Sequence, residues 1–205
     1  MYDKIYAWKA HVRQVSAVPE FVHHEWFVEW HLEVVERIAF ELCAACMHAD
    51  RQLVEVMVWL HDYGKILDFD NQYDMTKQAG MPKLTEVGFG QDFTKRAVDY
   101  VAWMDRKMEV DLHEAPIEVQ IVASADGYSH MVGPFLSLHW RENPTLSTVD
   151  LMARNRAKLT KDWQRKIVLP EARAAFGTYY NFWTHVSAAE LPKNFLQPDK
   201  NMLQL

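Results

Sequence analysis

Cysteine is nearly missing from this chain of 205 residues: there are two, against ten histidines. Two thiols cannot make a disulfide framework or a four-thiolate zinc site, so any metal site must be built from imidazole and carboxylate. Glycine and proline are also sparse, seven and eight residues scattered along the chain, which excludes a long flexible linker and predicts one domain over residues 1–205. No run of about 18 apolar residues occurs, which removes a membrane-spanning helix. Asp3, Lys4, Lys9 and Arg13 interrupt the apolar start that a secretory signal needs, so a cytoplasmic protein with no membrane partner is expected. Positive charge is in deficit, with 22 Lys and Arg against 28 Asp and Glu and a formal charge of −6. Such a field repels a phosphate backbone and argues against general nucleic-acid binding. What the chain does have is 49% hydrophobic residues, enough for a sizeable core.

Apolar residues recur at three- and four-residue intervals, as in Leu32, Val35, Ile38, Ala39 and Leu42, and strand-like alternation is rare. The pattern predicts an all-α chain with helices near 3–16, 21–47, 50–63, 91–108, 115–130, 147–165 and 170–188. Asp50 is placed to cap the third helix and Gly64 to stop it. Segment 64–90, with Gly64, Gly80, Pro82, Gly88 and Gly90, reads as a long loop holding at most a short helix. Leu191-Pro192 begins a tail.

The strongest local signal is Val58-Trp59-Leu60-His61-Asp62-Tyr63-Gly64-Lys65, an apolar helix closed by adjacent ionisable residues. A metal at the shared edge can take a nitrogen from His61 and an oxygen from Asp62. His31 lies one turn ahead of an apolar stripe on the preceding helix and would meet this pair if the two helices pack antiparallel. Asp126 ends the apolar run Ile121-Val122-Ala123-Ser124-Ala125 and wants a partner or a metal; Asp99, Asp105 and Asp111 are alternatives in the same region. His24, seven residues before His31, is either a substrate contact or a surface residue. His130, one turn after Asp126, either acts on the leaving group or the water, or supports a ligand from behind. Glu86 is an acid/base candidate or a solvated side chain. Cys43-Ala44-Ala45-Cys46 reads as buried small residues rather than a metal or redox pair. Residues 150–173 carry seven basic against three acidic side chains, either a solvated helix face or a surface that draws in an anion.

In chain order, His31, His61-Asp62 and Asp126 resemble the H…HD…D signature of the HD-domain superfamily of metal-dependent phosphohydrolases. The flanks are similar too: HLEVVERIA to its first histidine helix, VWLHDYGK to its His-Asp segment and IVASADGYSH to the helix of its last aspartate. The resemblance covers about residues 21–135, leaving 136–205 as a helical C-terminal extension. It implies a helical bundle in which His31, His61, Asp62 and Asp126 hold one divalent transition metal ion (Mn, Fe, Co, Ni or Zn). Water activated on such an ion would attack a small anionic phosphate substrate, a nucleoside monophosphate first among them. Asp62, Lys65 and His130 are then the catalytic candidates, and His24, Lys65 and Glu86 the substrate-binding ones. Two-metal members add histidines where this chain has Glu86 and Asp105, so a single ion is expected. The alternatives are a di-iron oxygenase on the same scaffold and a catalytically silent ligand-binding or interaction domain. Self-association is left open by the sequence.

Overall fold

The computed structural model describes residues 1–188. Among them it is all-helical, with no strand. The elements are α1 (Tyr2–Ser16), a π-helical turn (Val28–Leu32) running into α2 (Glu33–Ala45), α3 (Arg51–Leu60), α4 (Tyr63–Leu67), α5 (Gln72–Val87), α6 (Gln91–Asp105), a 3-10 turn (Leu112–Glu114), α7 (Ile117–Ser129), α8 (Phe135–Glu142), α9 (Thr148–Arg165) and α10 (Pro170–Val186). None of the described helices is long and apolar enough to cross a membrane.

α7 is the axis of the bundle. Val119 and every residue from Ile121 to Ser129 are buried, as a helix apolar on all sides requires, and α2, α3, α6, α9 and α10 pack around it. One hydrophobic cluster extends from Ile5 in α1 to Phe176 in α10. Asp50 caps α3 by accepting a hydrogen bond from the Leu53 amide, as its position in the sequence predicts. Pro170 opens α10 at its first turn, where a missing amide proton costs nothing.

Three expectations need correction. Residues 21–26 form turns rather than the start of a long helix, and helical structure begins with the π turn. Gly64 does not end the His-Asp helix. α3 stops at Leu60, and Gly64 lies inside α4, where a Cβ would fall 1.9 Å from the Gln72 carbonyl oxygen and 2.4 Å from the Thr76 nitrogen. Segment 64–90 is α4 and α5 rather than a loop. Its glycines permit close packing, since a Cβ on Gly80 would meet Leu60 at 2.7 Å, and Gly88 (φ 100°) ends α5. There the Phe89 amide donates to Leu84 and the Gly88 amide to Thr85, a Schellman closure that needs left-handed backbone. α8 is an additional helix that the periodicity did not indicate. The tail from Leu191 lies outside the described residues.

Candidate metal centre

α2 and α3 are joined by a short turn, so the start of one meets the end of the other. The π turn delivers His31, the C-terminal end of α3 delivers His61, and Asp62 occupies the break before α4. From across the bundle α7 supplies Asp126, with His130 just after its last turn. His31, His61, Asp126 and His130 are buried and Asp62 nearly so.

His31 Nε2 lies 3.3 Å from His61 Nε2, 3.3 Å from Asp62 Oδ2 and 3.8 Å from Asp126 Oδ1. His61 Nε2 lies 3.7 Å from Asp62 Oδ2 and 3.8 Å from Asp126 Oδ1. His130 Nε2 is 3.5 Å from the same Asp126 oxygen, and its ring stacks on His31 with 5.4 Å between centroids. These side chains form two potential metal-holding groups, His31–His61–Asp62 and His31–Asp126–His130, which share His31.

The outward-facing atoms fix the tautomers. His61 Nδ1 is 2.7 Å from the Val58 carbonyl, which only accepts, so Nδ1 carries the proton. Ser129 Oγ spends its single proton on the Asp126 carbonyl at 2.7 Å and therefore accepts from His31 Nδ1 at 3.2 Å. His130 Nδ1 lies between Asp162 Oδ2 at 2.9 Å and the Lys158 ammonium at 3.0 Å; Lys158 gives its proton to Asp162 at the shorter 2.8 Å, and Nδ1 donates to the same carboxylate. As neutral rings, all three turn unprotonated Nε2 atoms toward one another and toward carboxylate oxygens. Such a set of lone pairs has no proton of its own to hold it together, and it suits a cation. An ion bonded at about 2.1 Å separates neighbouring donors by roughly 3.0–3.4 Å, so the observed imidazole–imidazole and imidazole–carboxylate spacings need to close by only a few tenths of an ångström. The donor set therefore fits a metal.

Charge supports the same state. Burial lowers the His31 pKa despite the nearby carboxylates and takes His130 down to about 3, with Lys158 adding to the effect. Both rings are neutral, as ligation requires. Burial alone would raise the Asp62 and Asp126 carboxyls, but the ammonium groups of Lys65 and Lys166, acting together with the neighbouring imidazoles, hold both well below the ordinary carboxylate range. Lys65 Nζ sits 2.5 Å from Asp62 Oδ2. Lys166 takes Asp126 Oδ2 and leaves Oδ1 to the imidazoles.

A cavity of about 310 Å³ opens over this cluster. Lys65, Lys107, Lys158, Lys161 and Lys166 line it together with Asp105, and Trp26, Phe69, Tyr73 and Phe135 supply its aromatic surface. Two sequence-stretch assignments fall outside it. His24 binds the Phe21 carbonyl through Nδ1 at 2.9 Å, and it is His23 that lines the cavity, paired with Glu142. The seven-residue helical spacing from His24 to His31 fails because residues 21–26 are not helical. Glu86 lies near the end of α5, its side chain 69% exposed and paired with Lys83, because the presumed loop is a helix that carries it away. Of the alternatives to Asp126, Asp99 and Asp111 pair with Lys95 and His113, whereas Asp105 reaches the cavity, its pKa pushed up to about 7 mainly by burial. Cys43 and Cys46 are buried free thiols.

Sequence reasoning missed the contribution of α9. Asp162 is fully buried between Lys158 at 2.8 Å, Lys166 at 3.4 Å and His130. Its signal was present: Leu151, Asn155, Leu159 and Asp162 form one buried stripe, with lysines four residues to either side of the aspartate. Ser129 was also missed, since nothing in a single sequence distinguishes it from any small helical residue.

A scan of protein-family models and searches of curated proteins and of solved structures found nothing that matches this chain.

Proposed function

We propose that this chain is an HD-type metal-dependent phosphohydrolase acting on a small phosphomonoester, with nucleoside monophosphates the first class to test. The observation that carries the proposal is the pair of donor groups, His31–His61–Asp62 and His31–Asp126–His130, joined through His31 at the base of a lysine-lined cavity. From these groups His31, His61, Asp62 and Asp126 would hold one divalent transition ion, Mn, Fe, Co, Ni or Zn by donor type. When bound, the ion supplies Lewis acidity, lowering the pKa of a water and neutralising charge that develops on the phosphoryl oxygens. The single-ion reading is supported by the sharing of His31 between the two groups and by the distance of Glu86 from the cavity.

The chain's own residues do the rest. Lys65, fixed beside Asp62, presents a cation to the phosphoryl oxygens. His130, neutral and oriented by Asp162, offers Nε2 as a hydrogen-bond acceptor at the reacting centre. The aromatic walls bury the remainder of the ester and thin out bulk water. A volume of about 310 Å³ is at the small end for ligand pockets, in keeping with a metabolite rather than a polymer.

The test is phosphate release. Protein stripped with chelator and reloaded separately with Mn, Co, Ni, Mg or Zn should liberate phosphate from members of a phosphomonoester panel, and Asp62→Ala should release none. Bound metal with no release across the panel would overturn the hydrolase reading in favour of a silent binding domain. Oxygen uptake with iron loaded would favour the oxygenase.

A further inference from the structure

The five lysines of the cavity are not equivalent. Lys65 is paired with Asp62, Lys166 with Asp126 and Asp162, and Lys158 with Asp162. Lys107 and Lys161 line the same cavity and form no ion pair among the described residues. Lys107 follows the end of α6, partly buried, with its ammonium 5.5 Å from the ring centre of Tyr73. Lys161 projects from α9 and is exposed, which places this end of the cavity at solvent. Burial first, then Lys166, lowers the Lys107 pKa; Asp126 and Asp105 offset part of this, and Lys161 adds weakly to the lowering. Asp105, also in the lining, bridges neither. Two ammonium groups facing one cavity without an ion pair of their own, one of them partly desolvated, would be stabilised by a bound anion.

We propose that Lys107 and Lys161 form a second anion subsite at the mouth of the cavity, so that the molecule bound there carries two anionic groups. One group lies at the histidine–aspartate cluster, and the other, a carboxylate or a second phosphate, lies at these two lysines. The inference rests on the phosphohydrolase reading only for which group reacts; the subsite itself is a matter of binding. Lysine is a point charge without a fixed fork and accepts carboxylate and phosphate alike, so the shared chemistry is the anion.

Matched ligands test it. One arm compares glycerol 3-phosphate with 3-phosphoglycerate, and the other a nucleoside 5′-monophosphate with its 3′,5′-bisphosphate, each by phosphate release and by calorimetric binding to metal-loaded protein. The doubly anionic member of at least one pair should be favoured by about tenfold or more in kcat/KM and in Kd, the scale of one charge-assisted contact. Which arm responds distinguishes carboxylate from phosphate. In Lys107→Gln/Lys161→Gln the ratio should fall to near one. Lys161→Gln alone, a change on an exposed side chain that puts folding at little risk, should lose part of it. Equal treatment of both members by the wild type, or a ratio that survives the double variant, overturns the subsite while phosphate release keeps the hydrolase reading. If no ester is hydrolysed, the hydrolase reading fails and the binding ratio alone decides the subsite by the same criteria.

Discussion

His31, His61 and His130 each give their Nδ1 proton to an acceptor outside the cluster: Ser129, the Val58 carbonyl and Asp162. The inward lone pairs are a consequence of those three acceptors, so the acceptors are as much part of the site as the rings. Ser129 is the most dispensable for folding. Ser129→Ala should leave the helical content unchanged and weaken metal affinity by about 10–100-fold, measured by competition with a chromophoric chelator; unchanged affinity would show that the hydroxyl does not set the His31 tautomer. At this scale the sequence was legible where chemistry declares itself locally. The apolar run broken by His61-Asp62, and Asp126 at the end of another, are costly unless they serve something. His24 and Glu86 were assigned by spacing along presumed elements, and spacing fails when the element is wrong.

α9, read from the sequence as either a solvated basic face or a surface that draws in an anion, takes part in the cluster through its buried side. Its Asp162 has no exposed side-chain surface and ties Lys158, Lys166 and, through His130, the end of α7 together. Removing it leaves Lys158 and the His130 Nδ1 proton without their carboxylate and Lys166 with Asp126 alone, so Asp162→Ala should cost about 3 kcal/mol in urea unfolding of the metal-free protein; a loss below about 1 kcal/mol would mean the ion network is solvated after all. α4 and α5 make a different point. Gly64 is read naturally as a stop signal and Gly80 and Pro82 as loop residues, yet both glycines are where one helix touches another. Gly64→Ala puts a methyl onto backbone atoms that cannot step aside. It should destabilise by about 3 kcal/mol or more, seen as a lowered urea midpoint or loss of soluble protein, and a midpoint equal to wild type would contradict the close approach. Long amphipathic helices were legible from period alone. α5 and α8 were not, because breaker residues and short length mask their periodicity.

Across the whole molecule, four stretches of the chain converge: the π turn, the α3–α4 break, α7, and α9 with Lys166 just after it. The all-α class followed from composition and period, and the antiparallel α2–α3 pairing from the short turn between them. That residues about a hundred positions apart come together in groups able to hold a metal was indicated by the HD resemblance and by no local rule. The net charge of −6 still argues against a polyanion partner, while Lys107 and Lys161, the cavity lysines without an ion pair among the described residues, offer local positive charge to one small anion. All of this turns on whether His31, His61, Asp62 and Asp126 hold an ion. The most direct measurement is metal stoichiometry by elemental analysis after loading with Mn, Fe, Co, Ni or Zn and desalting, on wild type and on Asp62→Ala, with helicity checked by circular dichroism. The account predicts about one equivalent in the wild type and none in the variant at unchanged helicity; stoichiometric metal in Asp62→Ala, or none in the wild type with any of these ions, would contradict it.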